Sequence, residues 1–444
     1  MILIDEALRA RAAEGRPVRV GMVGAGFIAR GVAWQLRHAL PGMQLVAIAN
    51  RTPEKARHLV QGAGHTEIRD VDDPDDLDRA LADGETAVTR DPGLLCAAKG
   101  IDVLIEATGA VEFGAHVVTD AIAHGKDVVS LNVELDATVG PILQQRAQAA
   151  GVLVTGADGD QPAVQLNLVR FVRGLGLTPL VCGNIKGLQD RTRTPATQAG
   201  FAAQWGQTPE MVTSFADGTK ISFEQALVAN ALDMTIARSG MIGPEYRGHV
   251  DDLRATYLQE VGLERLRELG GIVDYVVGAQ PSPGVYVLAA NDDPEREVYL
   301  RYGKLGDGPL YSFYVPYHLT ALEVHLSVAR VALFRDHVVT SMPRPPRVDV
   351  VAHAKRDLVA GETLDGLGGF LTYGTCERSE RVAHDALLPI GLAEGAVLKR
   401  AISRDRVITR DDVDLPEGRL VIELRDEQER VLGRPGAAPA AVVS

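Results

Sequence analysis

The chain contains few of the features that mark secreted, metal-binding or membrane proteins. Its 444 residues include only three cysteines, Cys96, Cys182 and Cys376, which lie far apart and lack the spacing of zinc ligands. We therefore expect reduced thiols in a cytoplasmic protein. No run of about 18 apolar residues occurs, and the N-terminal segment lacks the apolar core of a signal peptide, so neither membrane insertion nor export is expected.

The charge balance excludes further classes of partner. The net charge is −13, and an acidic surface repels the phosphates of nucleic acids and anionic membranes. No serine framed by glycines and no nucleophilic cysteine stands out, so hydrolase chemistry is not indicated. The length indicates about three domains, and the 46 glycines with 46% hydrophobic residues fit an α/β architecture.

Residues 17–31 contain the most informative pattern, in which an apolar strand enters a glycine-rich turn that opens a helix. Gly24 permits the tight turn, and Gly26 allows the backbone to approach a pyrophosphate. Phe27 and Ile28 begin the helix, whose first N–H groups are free to bind phosphate. This order of elements predicts a dinucleotide-binding βαβ unit.

The second predicted strand, residues 45–49, decides between the two nicotinamide cofactors. An NAD enzyme usually has an acidic residue at this position to bind the ribose 2′-hydroxyl, but here Asn50, Arg51 and Thr52 follow the strand. These side chains suit a 2′-phosphate, so we predict NADP(H). The alternative is that Arg51 is a solvated turn residue.

Two further strands complete the predicted Rossmann-type, doubly wound parallel sheet of residues 1–157. The first, residues 101–107, ends at Thr108 and Gly109, and the second, residues 127–131, ends at Asn132. Because cofactors bind at the carboxyl ends of parallel strands, we assign these three residues to cofactor binding.

The remaining chain is predicted to form a second and a third domain. Residues 158–340 mix strands with helices and are expected to be an α+β domain for substrate binding, catalysis and dimerisation. Residues 298–302 are predicted as one of its strands, and seven of the ten tyrosines, between residues 275 and 317, are expected on a packed strand face. Residues 347–425 are expected to be a small β-rich domain, and residues 426–444 a disordered tail.

Two of four polar clusters lie at predicted strand ends. Asp160 and Gln161 follow one strand and could contact substrate, although Asp160 could equally cap the next helix. Lys186 and Arg191 follow another strand and suit a phosphate or carboxylate; the alternative for Lys186 is an ordinary surface lysine.

The third cluster combines a turn with the start of a helix. Asp217 precedes Gly218, and Lys220 and Glu224 follow, so a carboxylate and an ammonium group could lie together at a pocket edge. A desolvated Lys220 could donate a proton to a developing alkoxide. A solvated turn with a capped helix is equally consistent with this pattern.

The fourth cluster ends an alternating strand between two prolines. It presents Tyr317 and His318, which could orient substrate hydroxyls. A lone histidine is more often structural, but its position after a tyrosine at a strand end favours a site.

The whole chain resembles bacterial homoserine-dehydrogenase-like proteins with a C-terminal SAF domain, including the 1-deoxy-D-xylulose 5-phosphate reductoisomerase-like (DXR-like) group. The stretches that resemble this group are Val-Gly-Ala-Gly-Phe (23–27), Ile-Ala-Asn-Arg-Thr (48–52), Gly-Ala-Asp-Gly-Asp-Gln-Pro (156–162), Asp-Gly-Thr-Lys-Ile-Ser-Phe-Glu-Gln-Ala (217–226) and Gly-Pro-Leu-Tyr-Ser-Phe-Tyr-Val-Pro-Tyr-His-Leu (308–319). Residues 355–362 and 406–413 resemble the opening and closing of a SAF module.

The resemblance implies an NADP(H)-dependent oxidoreductase acting on a small anionic, hydroxylated carbonyl compound, with rearrangement and reduction of a phosphorylated ketose in isoprenoid biosynthesis as the specific reaction. Homoserine dehydrogenases generally carry a lysine where this chain has Val133. The acidic metal motif of ordinary reductoisomerases has no equivalent here, so a divalent metal stays undecided. Two alternatives stay open: a dehydrogenase of a sugar acid, polyol or homoserine-like substrate, and a nucleotide-sensing binding protein without turnover. A homodimer is expected, because the sheet of the second domain needs its open face covered.

Overall fold

The computed structural model describes residues 4–38, 41–337 and 339–433, which form two compact units. The first unit spans Met1–Asp136, Ile142–Asp160 and Leu319–Pro343, and the second spans Ala137–Pro141, Gln161–His318 and Arg344–Ser444. These boundaries differ from the predicted ones at several points. The segment Leu319–Pro343 belongs to the first unit, and the C-terminal region shares a unit with Gln161–His318.

The first unit contains a seven-stranded sheet with the order β3-β4-β2-β1-β5-β6-β7. Every pairing in it is parallel, which confirms the predicted Rossmann-type fold. The strands are β1 (Val18–Val23), β2 (Met43–Ala49), β3 (Ile68–Asp70), β4 (Thr86–Thr89), β5 (Val103–Glu106), β6 (Asp127–Ser130) and β7 (Val154–Gly156). The helices between them are α1 (Ile4–Ala13), α2 (Phe27–His38), α3 (Pro53–Gly62), α4 (Pro74–Asp83), α5 (Pro92–Ala97), α6 (Val111–Ala123) and α7 (Val133–Ala150).

The strand order places a change of direction at β1. The chain proceeds from β1 to β2 on one side, and returns to β5 on the other side of β1. In open parallel sheets, the carboxyl ends of the strands at such a switch point form the crevice that binds ligands. The turns after β1 and β5 therefore define where a dinucleotide would bind.

The second unit contains a four-stranded sheet with the order β11-β10-β8-β9. The elements are α8 (Gln161–Gly174), β8 (Thr178–Lys186), α9 (Pro195–Trp205), α10 (Pro209–Asp217), α11 (Thr219–Leu232), α12 (Leu253–Glu260), α13 (Leu263–Glu268), β9 (Ile272–Val277), β10 (Gly284–Ala290), α14 (Pro294–Tyr302) and β11 (Leu310–Val315). All seven residues of β10 are buried, so both faces of the sheet are covered at its centre. The prediction of an open sheet face does not hold at this central strand, and the homodimer stays a prediction.

The predicted strand at residues 298–302 is also wrong, because these residues end helix α14. Asp293 caps this helix by accepting a hydrogen bond from the N–H of Glu295, and Pro294 occupies its first turn. The helix-start signals of Asp293 and Pro294 therefore outweighed the alternation of apolar residues that had predicted a strand at 298–302. Tyr299 and Tyr302 are consequently exposed on α14 and do not share the expected strand face.

The segment that returns to the first unit forms α15 (Thr320–Ala329) and a π-helical turn, Arg330–Phe334. Helix α15 packs on α2. The buried Asp158 carboxylate accepts a hydrogen bond from Ser327 Oγ at 2.8 Å and lies 3.4 Å from the Arg330 guanidinium. Asp158 therefore anchors this segment to the sheet, and no local sequence signal reveals that contact.

The C-terminal region of the second unit consists of β12 (Val348–Ala354), β13 (Thr372–Arg378), α16 (Ser379–His384), β14 (Val397–Leu398), β15 (Val413–Asp414) and α17 (Leu420–Val431). Strands β12 and β13 pair in antiparallel fashion, as do β14 and β15. Residues 426–431 of the predicted tail are thus helical. Arg425 explains this difference, because its buried guanidinium donates to Asp349 at 2.6 Å and fixes α17 on β12. Residues 434–444 lie outside the described residues.

The described cysteines are free and buried. Burial raises the pKa of the Cys96 and Cys182 thiols to about 12, which disfavours the reactive thiolate. Within the described part of the chain, no helix is long and apolar enough to cross a membrane.

Candidate active site

The first unit provides a candidate cofactor cradle at the ends of β1 and β5. Gly24 adopts φ +113°, and a Cβ atom there would lie 2.7 Å from the carbonyl oxygen of Ala107, which follows β5. Only glycine therefore allows the two turns to approach each other. The structure supports the predicted role of Gly24 as the tight-turn residue.

Gly26 differs from Gly24 because the chain itself does not require glycine there. Apart from Gly26 and its two chain neighbours, no heavy atom of the described residues lies within 4 Å of the position that a Cβ would take. The next residues, Phe27 and Ile28, begin α2, and the first hydrogen bond inside the helix is donated by Arg30 to Gly26. Open space next to unused N–H groups at a helix start fits a pyrophosphate.

The turn after β2 contains the residues predicted to bind a 2′-phosphate. Asn50 donates its side-chain amide to the Thr52 carbonyl at 2.8 Å, which shapes the turn. Thr52 precedes α3 without using its hydroxyl as a cap. Arg51 is exposed, and its guanidinium forms no ion pair or hydrogen bond with residues 4–38, 41–337 or 339–433. The turn therefore presents a cation where a ribose phosphate would lie.

The turn after β5 is supported by a buried carboxyl group. Glu106 accepts from the N–H of Thr108 at 2.9 Å, and also accepts from the Thr108 hydroxyl. Burial raises the pKa of Glu106, although these hydrogen bonds oppose that shift. Gly109 adopts φ +65° and completes the turn.

Asn132 has a structural role in addition to its predicted contact with the cofactor. Its oxygen caps α7 by accepting from the N–H of Leu135 at 3.1 Å, and its amide nitrogen donates to Ala110 at 3.1 Å. The residue is only 1% exposed. The contact with the cofactor stays a prediction, because a cap and a ligand contact produce the same local pattern after a strand.

The second unit brings together residues from three of the four predicted clusters. We call Gln161, Gln165, Asn184, Glu224 and His318 the amide cluster. Asn184 Nδ2 lies 2.8 Å from the Gln161 side-chain oxygen and 2.9 Å from Glu224 Oε2. Gln161 Nε2 lies 3.1 Å from His318 Nε2, and Gln165 Nε2 donates to Asn184 Oδ1 at 2.9 Å.

Three regular elements hold the amide cluster in place. Gln161 and Gln165 lie one turn apart on α8, Asn184 lies in β8, and Glu224 lies on α11. Glu224 is 3% exposed and Asn184 is fully buried. His318 follows β11 by three residues. The cluster is thus a polar site enclosed by packed elements.

Lys186 and Lys220 are the two predicted catalytic lysines, and both are half-buried. Lys186 ends β8 and shares a sheet face with Asn184, two residues earlier. Lys220 lies in the first turn of α11, four residues before Glu224. Both side chains therefore come from elements that build the amide cluster.

Tyr317 and Asp160 flank the amide cluster in sequence. Tyr317 is 53% exposed next to His318. Asp160 belongs to the first unit, whereas the adjacent Gln161 belongs to the second. No helix N–H is found to donate to the Asp160 carboxylate in the part of the chain that the structure describes, so its predicted capping role lacks support.

The pairing of Asp217 with Lys220 is corrected by the structure. The Asp217 carboxylate is fully buried, accepts from the N–H of Thr219 at 2.9 Å and lies 2.8 Å from Lys355 Nζ. Lys355 also donates to the carbonyls of Arg193 and Gly369. This buried ion pair holds the α10–α11 junction on the C-terminal region and gives Asp217 a partner other than Lys220.

Arg191 does not join the amide cluster. Its guanidinium lies 5.5 Å from the ring centroid of Tyr373 and 3.4 Å from the Tyr373 hydroxyl. Desolvation raises the pKa of Tyr373 to about 12, and its hydroxyl donates to Asp405 at 3.0 Å. Arg191 is thus stacked on the C-terminal region, away from the position predicted for it.

Sequence reasoning missed Asn184 and Gln165. Asn184 is the polar residue inside an otherwise apolar strand, Val181–Ile185, and a buried asparagine in such a strand needs partners. That signal could have identified it. Gln165 provides no comparable signal, because one polar residue on a helix usually faces solvent.

Among the described residues, no group of three or more His, Cys, Asp or Glu side chains is arranged to hold a metal ion. The predicted site residues therefore define a cradle and an amide cluster, and the metal question stays undecided.

Two family models match parts of the chain. Residues 24–155 match the family model of the homoserine dehydrogenase NAD-binding domain, and residues 159–324 match that of the catalytic domain of oxidoreductase DRL. Both matched models are domains of NAD(P)-dependent oxidoreductases. The first match contains the glycine-rich cradle, and the second contains every member of the amide cluster.

Solved structures resemble the oxidoreductase only weakly, and no curated protein matches it. An NAD-binding oxidoreductase from Klebsiella pneumoniae is 21% identical over 40% of this chain and 44% of its own, with a TM-score of 0.27. A biliverdin reductase from Synechocystis is 20% identical over 39% and 48%, with a TM-score of 0.27. A 3-ketoreductase from Actinomadura kijaniata is 14% identical over 72% and 91%, with a TM-score of 0.38. The oxidoreductase thus covers less than half of the first two proteins, and no functional statement rests on these low scores.

Proposed function

We propose that the oxidoreductase uses NADP(H) in preference to NAD(H). The observation that supports this choice is the turn after β2, which lacks an acidic residue and presents the unpaired guanidinium of Arg51. A carboxylate at this position would repel a 2′-phosphate, whereas a guanidinium binds it with charge-assisted hydrogen bonds. Asn50 and the Thr52 hydroxyl are further polar groups in the same turn.

We propose a small anionic, hydroxylated carbonyl compound as the substrate. The convergence of Gln161, Glu224 and His318 from three separate segments is the observation that carries this proposal. Such a cluster offers donors and acceptors for hydroxyl groups in a buried setting. Lys186, on the same sheet face as Asn184, supplies positive charge for a phosphate or carboxylate.

In the proposed reaction, each group has a distinct role. When bound, the cofactor supplies or accepts hydride. Lys220 donates a proton to the oxygen of the carbonyl as that oxygen becomes an alkoxide, and it recovers the proton from solvent. His318 and Tyr317 orient the hydroxyl groups of the substrate.

Reductive isomerisation of a phosphorylated ketose is the specific reaction that we propose, because five stretches of the sequence resemble the DXR-like group. This assignment would place the oxidoreductase in isoprenoid biosynthesis in the cytoplasm, with the C-terminal region acting as a SAF domain. Oxidation of a sugar acid or polyol is the second candidate, which the SAF-like stretches favour. A panel of phosphorylated ketoses, sugar acids and polyols, followed by NADPH absorbance, separates the two reactions, and turnover of none of them would contradict both.

The cofactor proposal is tested by Arg51→Ala. Loss of the contact to the 2′-phosphate should weaken NADPH binding by ~10-fold or more and leave NADH binding nearly unchanged. Arg9→Ala, at an exposed position on α1, is the matched control. Equal weakening of both cofactors by Arg51→Ala would contradict the assignment.

We also propose a homodimer, for which exposed aromatic residues give a new reason. Phe201 and Trp205 lie one turn apart on α9 and are 54% and 50% exposed. Apolar surface of this kind is frequently covered by a second subunit. Light scattering at micromolar concentration should show twice the monomer mass, and a monomer would refute the proposal.

A further inference from the structure

A second arginine lies beside Arg51 at the same edge of the parallel sheet. Strands β2 and β4 are neighbours in parallel register, with Ala49 opposite Thr89, and the N–H of Asn50 donates to the Thr89 carbonyl at 3.0 Å. Arg51 follows this hydrogen bond by one residue on the first strand, and Arg90 follows it by one residue on the second. Because neighbouring strands lie about 4.8 Å apart, the two arginine side chains start close enough to contact one small ligand group.

The turn that contains Arg90 is fixed by the residues on either side of it. The hydroxyl of Thr89 accepts from the N–H of Asp91 at 3.2 Å. The Asp91 carboxylate caps α5 by accepting from the N–H of Gly93 at 2.8 Å. The backbone of Arg90 is therefore held at the carboxyl end of β4, while the residue itself is exposed.

The carboxylates next to this turn already have partners. Asp91 caps α5, and Asp70, at the end of the other strand that pairs with β4, lies 2.5 Å from the guanidinium of Arg57. The side chain of Arg90, like that of Arg51, forms no ion pair or hydrogen bond within residues 4–38, 41–337 and 339–433. This edge of the sheet thus presents two guanidinium groups that no acid of the described chain neutralises.

The charge of a 2′-phosphate is not balanced by a single arginine. A phosphate monoester carries a charge of about −1.5 to −2 at neutral pH. The chain has a net charge of −13, so its long-range field repels such a group and the attraction must come from cations at the site. We propose that Arg90 binds the 2′-phosphate of NADP(H) together with Arg51, an inference that rests on the proposed cofactor preference.

This role makes Arg90 a specificity-determining residue for the cofactor. The phosphate has three terminal oxygens, and each guanidinium can donate two parallel hydrogen bonds, so both arginines can bind the same group. NADPH differs from NADH only in this phosphate. A contact to the phosphate therefore changes the affinity for NADPH alone, whereas a contact to the adenine or the ribose would change the affinity for both cofactors.

Calorimetric titration of Arg90→Ala with NADPH and NADH tests the assignment without substrate or turnover. We expect NADPH binding to weaken by about tenfold, as for the loss of one charge-assisted contact, and NADH binding to change by less than about twofold. The adenosine fragments 2′,5′-ADP and 5′-AMP should show the same contrast. Arg37→Ala is the matched control, because Arg37 is also exposed but lies in the last turn of α2, toward the opposite end of the strands.

Two further variants sharpen the test. Arg90→Lys keeps the positive charge but loses the planar pair of donors, so it should weaken NADPH binding less than Arg90→Ala does. The double variant Arg51→Ala with Arg90→Ala should bind NADPH and NADH with nearly equal affinity, because both cations of the phosphate site are removed. Since both positions are exposed, these variants should keep the circular dichroism spectrum of the wild type.

An unchanged ratio of NADPH to NADH affinity in Arg90→Ala, or an equal loss of affinity for both cofactors, would overturn the role of Arg90. Arg51→Ala, titrated alongside, separates this outcome from a failure of the proposed function. A selective loss of NADPH binding in Arg51→Ala but not in Arg90→Ala would refute only the role of Arg90. A selective loss in neither variant would refute the preference for NADP(H) as well.

Discussion

Asp217 and Glu224 are two buried carboxyl groups only seven residues apart, yet their surroundings differ completely. Asp217 lies 2.8 Å from the ammonium group of Lys355, at the junction of α10 and α11. Glu224 lies between the amides of Gln161 and Asn184. The first carboxylate has a cation to neutralise it, and the second contacts the side-chain amides of Gln161 and Asn184.

The difference separates an acid in an ion pair from one in a network of amides. A buried ion pair stabilises the fold only while both partners remain, because either charge alone is strongly destabilising. A buried carboxyl group in contact with amides is part of a hydrogen-bonded polar cluster. Carboxyl groups on adjacent helices thus have different kinds of partner.

Breaking the ion pair should give the largest effect. Lys355→Met leaves the Asp217 charge buried without its cation, so we expect the free energy of unfolding to fall by about 3–5 kcal/mol. Urea denaturation followed by circular dichroism measures this change. The double variant Lys355→Met with Asp217→Asn should recover part of the loss, because it removes the unpaired charge. Equal loss in the single and double variants would refute the structural role of this pair.

A third buried carboxyl group, Asp274, extends the comparison. It accepts from the N–H groups of Ile242, Gly243 and Tyr275 and from the Tyr257 hydroxyl, and burial raises its pKa to about 6. The pKa of an aspartate in an unfolded chain is about 3.9, so between this pH and about 6 the folded state binds more protons than the unfolded state does. The stability contribution of Asp274 should therefore fall by about 3 kcal/mol as pH rises through this window.

Asp274→Asn tests this behaviour. The amide oxygen can still accept from the backbone, but the group no longer ionises. Between acidic and neutral pH, the free energy of unfolding of the wild type should fall by about 3 kcal/mol relative to that of the variant. A constant difference across the window would show that Asp274 titrates normally.

Lys220 is the subject of the third test. The sequence suggested Asp217 as its partner, but Asp217 pairs with Lys355 instead. If Lys220 protonates the substrate oxygen, Lys220→Met should lower turnover by at least ~10²-fold. NADPH binding, measured by fluorescence, should stay within about threefold, since the role is confined to the transition state. Lys99→Met, at an exposed position, is the control. Nearly unchanged turnover would move the proton donor to Lys186 or His318.

The cofactor-binding unit could be predicted in detail because its signals are local. Strand β1 spans the predicted residues, and α2 begins at Phe27 directly after the glycine-rich turn. The close approach of the turn after β5 requires glycine at position 24, and Gly26 leaves open space at the start of α2. Even here, the capping role of Asn132 was not predicted, because helix capping and ligand binding favour the same side chain after a strand.

The amide cluster could be predicted only in part. Gln161, Glu224 and His318 were each selected from their own segments, but nothing local indicated that they would meet. Asp217 was selected by the same reasoning and was wrong, since its partner lies in the C-terminal region. The C-terminal helix was missed for a similar reason, because the Arg425–Asp349 pair connects distant segments.

The sequence by itself determined the Rossmann-type sheet, the glycine cradle and the absence of an acid after β2. These features depend on hydrophobic periodicity and backbone freedom, which act over a few residues. Only the tertiary structure decided that Asp217 meets the cation of Lys355 and that Glu224 meets the amides of Gln161 and Asn184. These partners come from elements that are distant in the chain. Because burial strengthens electrostatic contacts, the partners strongly influence the chemistry of each carboxyl group.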